Sequence, residues 1–411
     1  MHIDIEKARR RMAARGLDAM VAGSLTNTYY CTGHYSPHWF YIRDQLRLAV
    51  IPKNSEPFVV TPDVEAKAYT RSGAFRGYEF PMDVYFKYPE GVEDLYLKGK
   101  HNIAPFEDQL QGLDVRKLLI RTPVLLLAEI LSNRNLDGAR IGIDKEYIET
   151  EFFEEIVDVL PGCEWQDCSE IFKEMRMIKG EEELDCMVRA TRITEEAIRS
   201  CFPMVREGVT VGELLNHTLK AMSGISSETG GYCEAWERGV VSTPIPAGET
   251  RGPLDVPVKV GQTIRWDIGC RYNHYCADVG RQVAIGDIPQ SQIDFYYSVI
   301  LEASAAMVEK IRPGVKAHEL YQAVHSIVEP VDPDYSRRLF NGHGLGIELH
   351  EEPYITPWSQ IVLEPGMVIA VEVPYYVAGG YAWNYEDMYL VTQEGHRLLS
   401  DGLTSELLKL G

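Results

Sequence analysis

The sequence has few positive charges for its length. Its 411 residues include 41 lysines and arginines against 61 aspartates and glutamates, a formal net charge of −20. Such a balance disfavours nucleic acid and anionic membranes as partners. No apolar run is long enough to span a bilayer. The first ten residues lack the apolar core of a secretory signal peptide.

Paired cysteine motifs are also absent. Eight cysteines are scattered along the chain without the spacing of a metal or redox motif. We interpret them as reduced, mostly buried thiols, which together with the missing signal peptide predict a cytoplasmic protein. The sequence has no internal repeat of short period and no low-complexity tract.

The first part of the chain has the pattern of an α/β domain. Short apolar runs at 47–51, 57–60 and 139–144 predict strands that alternate with helical segments. The length of the chain allows two domains, each with its own core. We expect a first domain over residues 1–165 and a second over residues 166–411, which gives a two-domain α/β fold class.

Two carboxylates in the second half stand in settings suited to metal ligands. Asp267 ends a strand-like run over residues 262–269, and Asp278 lies in the run that returns after a turn expected at 271–273. Because adjacent strands pair side by side, both carboxylates can reach a common point without any loop becoming ordered.

Three more candidates follow, namely His343, Glu372 and Glu386. Glycines surround His343 and let the backbone approach a ligand closely. Glu372 and Glu386 lie in apolar strand runs, where a lone buried carboxylate is costly unless it is paired or bound to metal. Any one of the 61 acidic residues is more often a solvated carboxylate than a ligand. The complete set of oxygen and nitrogen donors, however, suits Mn²⁺, Co²⁺, Fe²⁺ or Zn²⁺.

The segments that hold these candidates resemble the signature of the pita-bread metallohydrolases, which comprise prolidase, aminopeptidase P, methionine aminopeptidase and the creatinases. They are residues 266–281, 342–353, 363–372 and 386–392. The N-terminal half resembles the creatinase-type domain that prolidase and aminopeptidase P carry. The resemblance therefore covers essentially the whole chain. It implies a creatinase-like α/β domain followed by a pita-bread (α+β) catalytic domain.

The resemblance also implies roles for single residues. Two divalent ions are expected, with manganese first and cobalt, iron or zinc as alternatives. Asp267 would bind one ion, His343 and Glu372 the other, and Asp278 with Glu386 would bridge both. Glu372 would act as general base and then general acid in the hydrolysis of a C–N bond. His350 would bind substrate and stabilise the tetrahedral intermediate.

The sequence departs from the family pattern in three places, of which the first two lie at expected substrate contacts. No histidine occurs between His217 and His274, whereas prolidase-like enzymes have one shortly before the first metal ligand. Residues 382–385 lack the arginine that commonly precedes the last ligand. His274 stands where a glycine is usual. We therefore expect His274, Tyr275 and Trp383 to contribute to substrate binding.

An aromatic stretch at residues 34–43 is the remaining candidate for substrate recognition. In creatinase-like dimers the corresponding region reaches the active site of the neighbouring subunit. On that basis Trp39, Tyr41, Arg43 or Arg47 would contact substrate in a homodimer. A local aromatic cluster that packs on its own domain is an equally open interpretation.

The predicted function is hydrolysis of a peptide or amide bond in a short peptide or small molecule. An enzyme similar to Xaa-Pro dipeptidase or aminopeptidase P is the leading hypothesis. The missing histidine and arginine favour, as an alternative, an amidohydrolase like creatinase or ectoine hydrolase. A non-catalytic binding protein on the same fold is a third hypothesis, which five intact ligands disfavour. Gly269 agrees with the hydrolases and gives no support to a carbon–sulfur lyase on this scaffold.

Overall fold

The computed structural model describes residues 3–35, 47–62, 82–85, 123–146, 148–229, 233–235, 239–243, 254–377 and 379–411. The chain divides into two compact units, Met1–Met175 and Arg176–Gly411. The sequence placed the boundary at 165/166. The strand at Glu164–Asp167 pairs with the strand at Arg140–Ile143, so the first unit extends beyond that position.

The first unit contains a six-stranded mixed sheet. Its strands are β1 (Ala19–Ala22), β2 (Leu48–Pro52), β3 (Phe58–Pro62), β4 (Met82–Tyr85), β5 (Arg140–Ile143) and β6 (Glu164–Asp167), in the spatial order β4-β3-β2-β1-β5-β6. The helices are α1 (Ile5–Ala14), α2 (Leu25–Thr32), α3 (Pro123–Asn133), α4 (Thr150–Val159) and α5 (Ser169–Arg176). Strand β1 runs antiparallel to β2 and parallel to β5.

Sequence signals account for the start of the first two helices. The Asp4 side chain accepts a hydrogen bond from the Lys7 amide and caps α1. Ser24 caps α2 in the same way by accepting from the amide of Asn27. The Ser24 hydroxyl in turn donates to the buried carboxylate of Asp144 over 2.7 Å, which ties α2 to the end of β5.

The second unit has two long helices and a helical hairpin. The long helices are α6 (Glu181–Cys201) and α7 (Val211–Thr229). The hairpin begins with α8 (Gln290–Phe295), continues through a π-helical turn (Tyr296–Leu301) into α9 (Glu302–Val308), and returns in α10 (Ala317–Val328). Short 3₁₀ turns occur at Phe202–Met204 and Pro333–Arg337. Among the residues described, no helix combines the length and the apolarity that crossing a bilayer requires.

An eight-stranded sheet dominates the second unit. Its strands are β8 (Val240–Thr243), β9 (Thr263–Ile268), β12 (Val279–Ile285), β13 (Gly342–Gly344), β14 (Val368–Glu372), β17 (Glu386–Val391), β18 (His396–Leu398) and β19 (Leu408–Leu410). Six of them follow the spatial order β13-β14-β17-β12-β9-β8, while β18 pairs with β17 and β19 pairs with β12. A three-stranded sheet, β7 (Cys233–Ala235), β10 (Cys270–Tyr272) and β11 (Tyr275–Cys276), and the pair β15 (Tyr375–Tyr376) and β16 (Ala382–Trp383) complete the unit.

One face of β14 packs against the helical hairpin. Ile369 and Val371 share a buried apolar cluster with Met307 of α9 and Leu320 of α10. Since side chains alternate along a strand, Glu372 points to the other face. The helical layer therefore fixes the strand, and the opposite face is left for polar side chains.

The predicted hairpin after Asp267 differs from the observed one. Strand β9 pairs directly with β12, and residues 270–276 form a separate small hairpin in which Tyr272 pairs with Tyr275. The turn consists of Asn273 and His274, both with positive φ (46° and 67°), rather than residues 271–273. Positive φ at both central positions gives the twist that two-residue hairpins require, which explains the later turn.

Candidate active site

Three of the predicted ligands lie in one row across four neighbouring strands. Asp267 on β9 is opposite Gly280 on β12, Gly280 is opposite Glu386 on β17, and Glu386 is opposite Glu372 on β14. Neighbouring strands are about 4.8 Å apart, so the register alone brings these carboxylates together.

The other two predicted ligands lie beside that row. Asp278 precedes Gly280 by two residues and therefore has the same strand parity. His343 on β13 is opposite Ala370, two residues before Glu372. Its Nε2 atom lies 3.7 Å from Oδ2 of Asp278 and 4.0 Å from an oxygen of Glu386.

The donor atoms form two overlapping groups. Asp267, Asp278 and Glu386 each offer one oxygen within 4.8 Å of the others, and Asp278, His343 and His350 form a second such group. Nδ1 of His343 lies 2.9 Å from the Gly344 carbonyl. A proton on Nδ1 is donated to that carbonyl and leaves Nε2 as the free lone pair, which is the tautomer that binds a metal.

Three atoms in this cluster are buried and lack a hydrogen-bond partner. They are Oδ1 of Asp278, Nε2 of His343 and Oε1 of Glu386. Leaving buried acceptors unsatisfied is costly, and three such acceptors that converge on one point fit a cation. The residues present therefore fit a divalent metal site.

Burial and neighbouring charges also shift the pKa values of the side chains in this cluster. Burial raises the pKa of Asp278 and Glu386 well above their ordinary values, and repulsion from the neighbouring carboxylates adds to it. Burial and the charge of Asp267 raise the pKa of Glu372 to about 7. Burial and the nearby His350 lower the pKa of His343 to about 3. So many negative groups in one buried place indicate a functional site that a positive charge completes.

Two glycines allow these strands to come close. Gly342 has φ +135°, and a Cβ there would lie 2.3 Å from the Ala370 carbonyl oxygen. A Cβ on Gly280 would lie 2.8 Å from the Cβ of Glu386. The missing side chains therefore let His343 and Glu386 take their places in the cluster.

Comparison with known proteins agrees with this geometry. The family model for metallopeptidase family M24 matches residues 185–393, and the model for the creatinase/prolidase N-terminal domain matches residues 5–178. The chain belongs to metallopeptidase family M24. The predicted family is confirmed, as is the expectation of a metal-dependent hydrolase.

Solved structures confirm the two-domain pita-bread fold. A dipeptidase from Pyrococcus horikoshii is 23% identical with a TM-score of 0.79, and the match covers 99% of each chain. An Xaa-Pro dipeptidase from Bacillus anthracis is 20% identical with a TM-score of 0.76, again over 99% of each chain. Uncharacterized peptidases of Staphylococcus aureus are 24% identical over 380 residues, which cover 91% of this chain and 92% of theirs.

In this M24 site, His350 lies on a loop that buried ion pairs hold. Its ring stacks on that of His343 with centroids 3.9 Å apart. The next residue, Glu351, pairs with Nζ of Lys179 at 3.1 Å and with Nε of Arg176 at 3.3 Å. Burial acts to raise the pKa of Glu351, but the two cations hold it below its ordinary value. An ionised Glu351 therefore anchors the loop.

A second buried ion pair supports the row of ligands through the backbone. Arg281 donates to the carbonyls of Gly280 and Glu386, both at 2.8 Å, and to Asp387 at 2.6 Å. The Ser400 hydroxyl donates to the same Asp387 oxygen. The sequence did not predict these contacts, although Arg281 ends the segment of residues 266–281 that resembles the family signature.

Two of the residues predicted to bind substrate are fully buried. The Tyr275 hydroxyl donates to a carboxylate oxygen of Glu183 over 3.0 Å. The Trp383 indole donates to the side chain of Gln292 over 3.3 Å, and its ring packs near Tyr296. Both side chains are therefore held by other parts of the protein, and their contact with substrate stays a prediction.

His274 and Arg47 are not among the donor groups, and three further predicted substrate contacts lie outside the described residues. His274 occupies the second position of the hairpin turn, where its φ of 67° suits a glycine better. Arg47 is buried in the first unit, directly before β2. Trp39, Tyr41 and Arg43 lie outside the described residues.

The sequence analysis also missed two polar residues beside the row. Arg265, two residues before Asp267, is 6% exposed, and its Nε and Nη1 atoms are buried without a partner. Asn384 is fully buried; its Nδ2 lies 3.4 Å from Oε2 of Glu386, and its Oδ1 has no partner. An arginine inside an otherwise apolar strand run was the signal that could have drawn attention to this position.

Proposed function

We propose that this M24 protein is a dinuclear metallopeptidase that hydrolyses the amide bond of a short peptide, as Xaa-Pro dipeptidases do. The observation that carries the proposal is the convergence of buried, unpartnered acceptor atoms from Asp278, His343 and Glu386. Nε2 of His343 lies 3.7 Å from Oδ2 of Asp278 and 4.0 Å from Oε1 of Glu386, and a cation shared by these side chains fits those distances. The dipeptidases among the similar structures share this fold.

In this proposal the five ligands divide between two ions. Asp267 would hold one ion, His343 and Glu372 would hold the other, and Asp278 and Glu386 would contribute to both. Two divalent ions, when bound, supply Lewis-acid polarisation of an amide carbonyl and acidify water. The protein contributes the fixed row of carboxylates, because the strand register holds each carboxylate in place without a mobile loop.

In this proposal Glu372 transfers the proton and His350 contacts the substrate. Glu372 ends the row and is 8% exposed, so its carboxylate can receive a proton from the attacking water as the new C–O bond forms. It returns that proton to the nitrogen as the C–N bond breaks. His350 is exposed beside His343 and is suited to hydrogen-bond the carbonyl oxygen of the substrate.

A second candidate function is hydrolysis of a small cyclic or N-substituted amide. The observation that favours it is Asn384, a neutral side chain beside Glu386, in the stretch of residues 382–385 that lacks the arginine commonly found before the last ligand. A non-catalytic binding protein on the same fold would need no metal and would leave the buried acceptors unsatisfied.

The test is hydrolysis by Mn²⁺-loaded protein of Xaa-Pro dipeptides, longer Xaa-Pro peptides, creatine and ectoine. Asp267→Ala removes a ligand, and Asp287→Ala is the matched control because the Asp287 side chain is 91% exposed. Cleavage of Xaa-Pro peptides that is lost only in Asp267→Ala supports the proposal. Cleavage of a small amide alone moves the function to the second candidate. Failure to take up two equivalents of Mn²⁺ in calorimetry overturns both.

We further propose manganese as the metal, a homodimer and a cytoplasmic location. Hard oxygen donors with a single imidazole suit Mn²⁺ among the first-row ions. The creatinase-type N-terminal domain supports the homodimer, because in creatinase-like dimers a region of this domain reaches the active site of the neighbouring subunit. Free thiols at all the cysteines for which the structure gives a state support a reducing compartment. Metal analysis, light scattering and cell fractionation test these points in turn.

A further inference from the structure

Arg265 has no assigned role in the site, yet its surroundings point to a ligand. We propose that Arg265 binds a carboxylate of the substrate and thereby selects peptides that end one residue after the hydrolysed bond. The proposal rests on the proposed hydrolase function and narrows it to a dipeptidase. The ligand class is a short, planar anion attached to the leaving group.

The first argument is the position of Arg265 on the sheet. It lies on β9 opposite Gln282 of β12 and has the same strand parity as Asp267. It therefore stands in the row next to the metal ligands. The Gln282 side chain is itself engaged, because it donates to the Ala382 carbonyl and accepts from the Asn384 amide. Gln282 is thus not an acceptor for the guanidinium.

The second argument is the unsatisfied state of the guanidinium. Its Nε and Nη1 atoms are buried without a partner, and its carbon lies 4.5 Å above the ring of Tyr376. A buried cation is stable only when it is paired and hydrogen-bonded. The aromatic face offsets part of the desolvation but accepts none of the free N–H groups. An incoming carboxylate would satisfy them with charge-assisted hydrogen bonds.

The carboxylates of Asp267 and Glu372 both interact with the charge of Arg265, but among the described residues neither accepts a hydrogen bond from it. Oδ2 of Asp267 is 4.0 Å from Nη2, which is too long for a hydrogen bond. Both carboxylates are also proposed metal ligands, so a bound cation would compete for their charge. Nε and Nη1 of Arg265 then still lack an acceptor.

The distance between Arg265 and Asp267 indicates how long the peptide after the hydrolysed bond can be. Nη2 of Arg265 lies 4.0 Å from Oδ2 of Asp267, the ligand at one end of the row, and one residue of peptide spans about 3.8 Å between consecutive Cα atoms. A carboxylate one residue beyond the scissile amide therefore reaches Arg265 while the amide lies at the ligands. A carboxylate several residues further on does not reach it.

Arg338 is the neighbouring cation that could be mistaken for this receptor. Its guanidinium also lies near the Tyr376 ring, at 5.6 Å. Its Nε, however, already donates to the carbonyl of Phe340 over 2.9 Å. Arg338 therefore has a partner in the described structure, and Arg265 is the group with free donors.

The experiment compares Ala-Pro with its C-terminal amide, which differ only in the carboxylate. Arg265→Gln removes the charge, Arg265→Lys keeps it without the planar fork, and Arg312→Gln is a matched change of an exposed arginine in the same unit. Each Mn²⁺-loaded protein is assayed for kcat and KM on both peptides. Calorimetry measures the binding of Mn²⁺, L-proline and L-prolinamide, and circular dichroism checks the fold.

We expect wild type and Arg312→Gln to prefer the free acid. Arg265→Gln should lose about 10- to 100-fold in kcat/KM on Ala-Pro, mainly through KM, as is typical of a lost hydrogen bond to a charged group. Its activity on the amide should change less than about 2-fold, its Mn²⁺ affinity should stay the same, and only L-proline should bind more weakly. Arg265→Lys should fall between the two.

Three results overturn the inference. One is wild-type protein that cleaves acid and amide equally well, which leaves the hydrolase function standing. Another is an equal loss on both substrates in Arg265→Gln together with weaker Mn²⁺ binding, which makes Arg265 a residue that positions Asp267. The third is L-proline binding that is the same in wild type and Arg265→Gln. If wild type cleaves neither peptide, the proposed function fails, and the L-proline comparison alone decides whether Arg265 binds carboxylates.

Discussion

Gly280 offers a sharp test of whether strand packing sets the metal site. It lies between Asp267 and Glu386 in the row of ligands and carries no functional group itself. In Gly280→Ala the new Cβ would lie 2.8 Å from the Cβ of Glu386 and 3.2 Å from its backbone nitrogen. The substitution therefore pushes on a ligand without removing any donor atom.

The size of the effect follows from these contacts. Ordinary van der Waals contact begins at 3.4 Å, so the two Cβ atoms must separate by 0.6 Å, the difference between 3.4 and 2.8 Å. Metal–ligand distances are tolerated only within about 0.2 Å. Arg281 holds the carbonyls of both strands, so neither strand can withdraw freely. We expect Mn²⁺ affinity to fall about 10- to 100-fold and the free energy of unfolding to fall by about 1–3 kcal/mol.

Calorimetric titration with Mn²⁺ and urea denaturation of the metal-free protein measure the two effects. Gly395→Ala is the control, because a Cβ at Gly395 would have nothing within 4 Å, and its stability should change by less than about 0.5 kcal/mol. If Gly280→Ala binds Mn²⁺ as tightly as Gly395→Ala does, close packing at Gly280 does not set the position of Glu386.

Three other perturbations probe the surroundings of the site. Glu351→Gln removes the anion of a buried pair with Lys179, so the free energy of unfolding in urea should fall by about 3–5 kcal/mol. Glu348→Gln, at a partly exposed position, should lower it by about 1 kcal/mol or less. Equal losses in the two variants would refute this expectation. Burial raises the pKa of Glu183 from 4.5 to about 7, so stability falls as pH rises through that window, by at most about 1.4 kcal/mol per pH unit. Glu183→Gln should make this slope smaller in urea curves, and an unchanged slope contradicts the assignment. Mn²⁺ at about 100 times its dissociation constant should stabilise the protein by about 2.7 kcal/mol in thermal unfolding; no shift in wild type, or an equal shift in Asp278→Asn, would count against the site.

The ligands could be predicted from the sequence because each lies in a short local pattern. Asp267 and Asp278 flank one turn region, and His343 lies among glycines. The register that brings Gly280 opposite Glu386 joins residues 106 positions apart, and no local pattern encodes that pairing. The sequence therefore predicted which side chains matter, whereas their arrangement in a row needed the folded sheet.

Residues that neighbour the ligands in the sequence were harder to interpret. Tyr275 and Trp383 each lie three residues before a predicted ligand, which suggested contact with substrate. Their burial and their hydrogen bonds to Glu183 and Gln292 depend on helices far away in the sequence. Arg265, by contrast, was not predicted to be a site residue. Its strand run predicts a buried segment, and only the fold shows that its donors lack partners.

The buried carboxylates of the site link metal binding to the stability of the fold. In the metal-free protein, raised pKa values of Asp278, Glu372 and Glu386 mean that the folded state holds protons that the unfolded state releases. These groups therefore contribute most stability below their ordinary pKa values, and the contribution is lost as pH rises through their raised pKa values. A bound divalent cation reverses this relation because it favours the ionised carboxylates. The ions that supply the chemistry would then also make the ionised row of carboxylates compatible with the folded sheet at neutral pH.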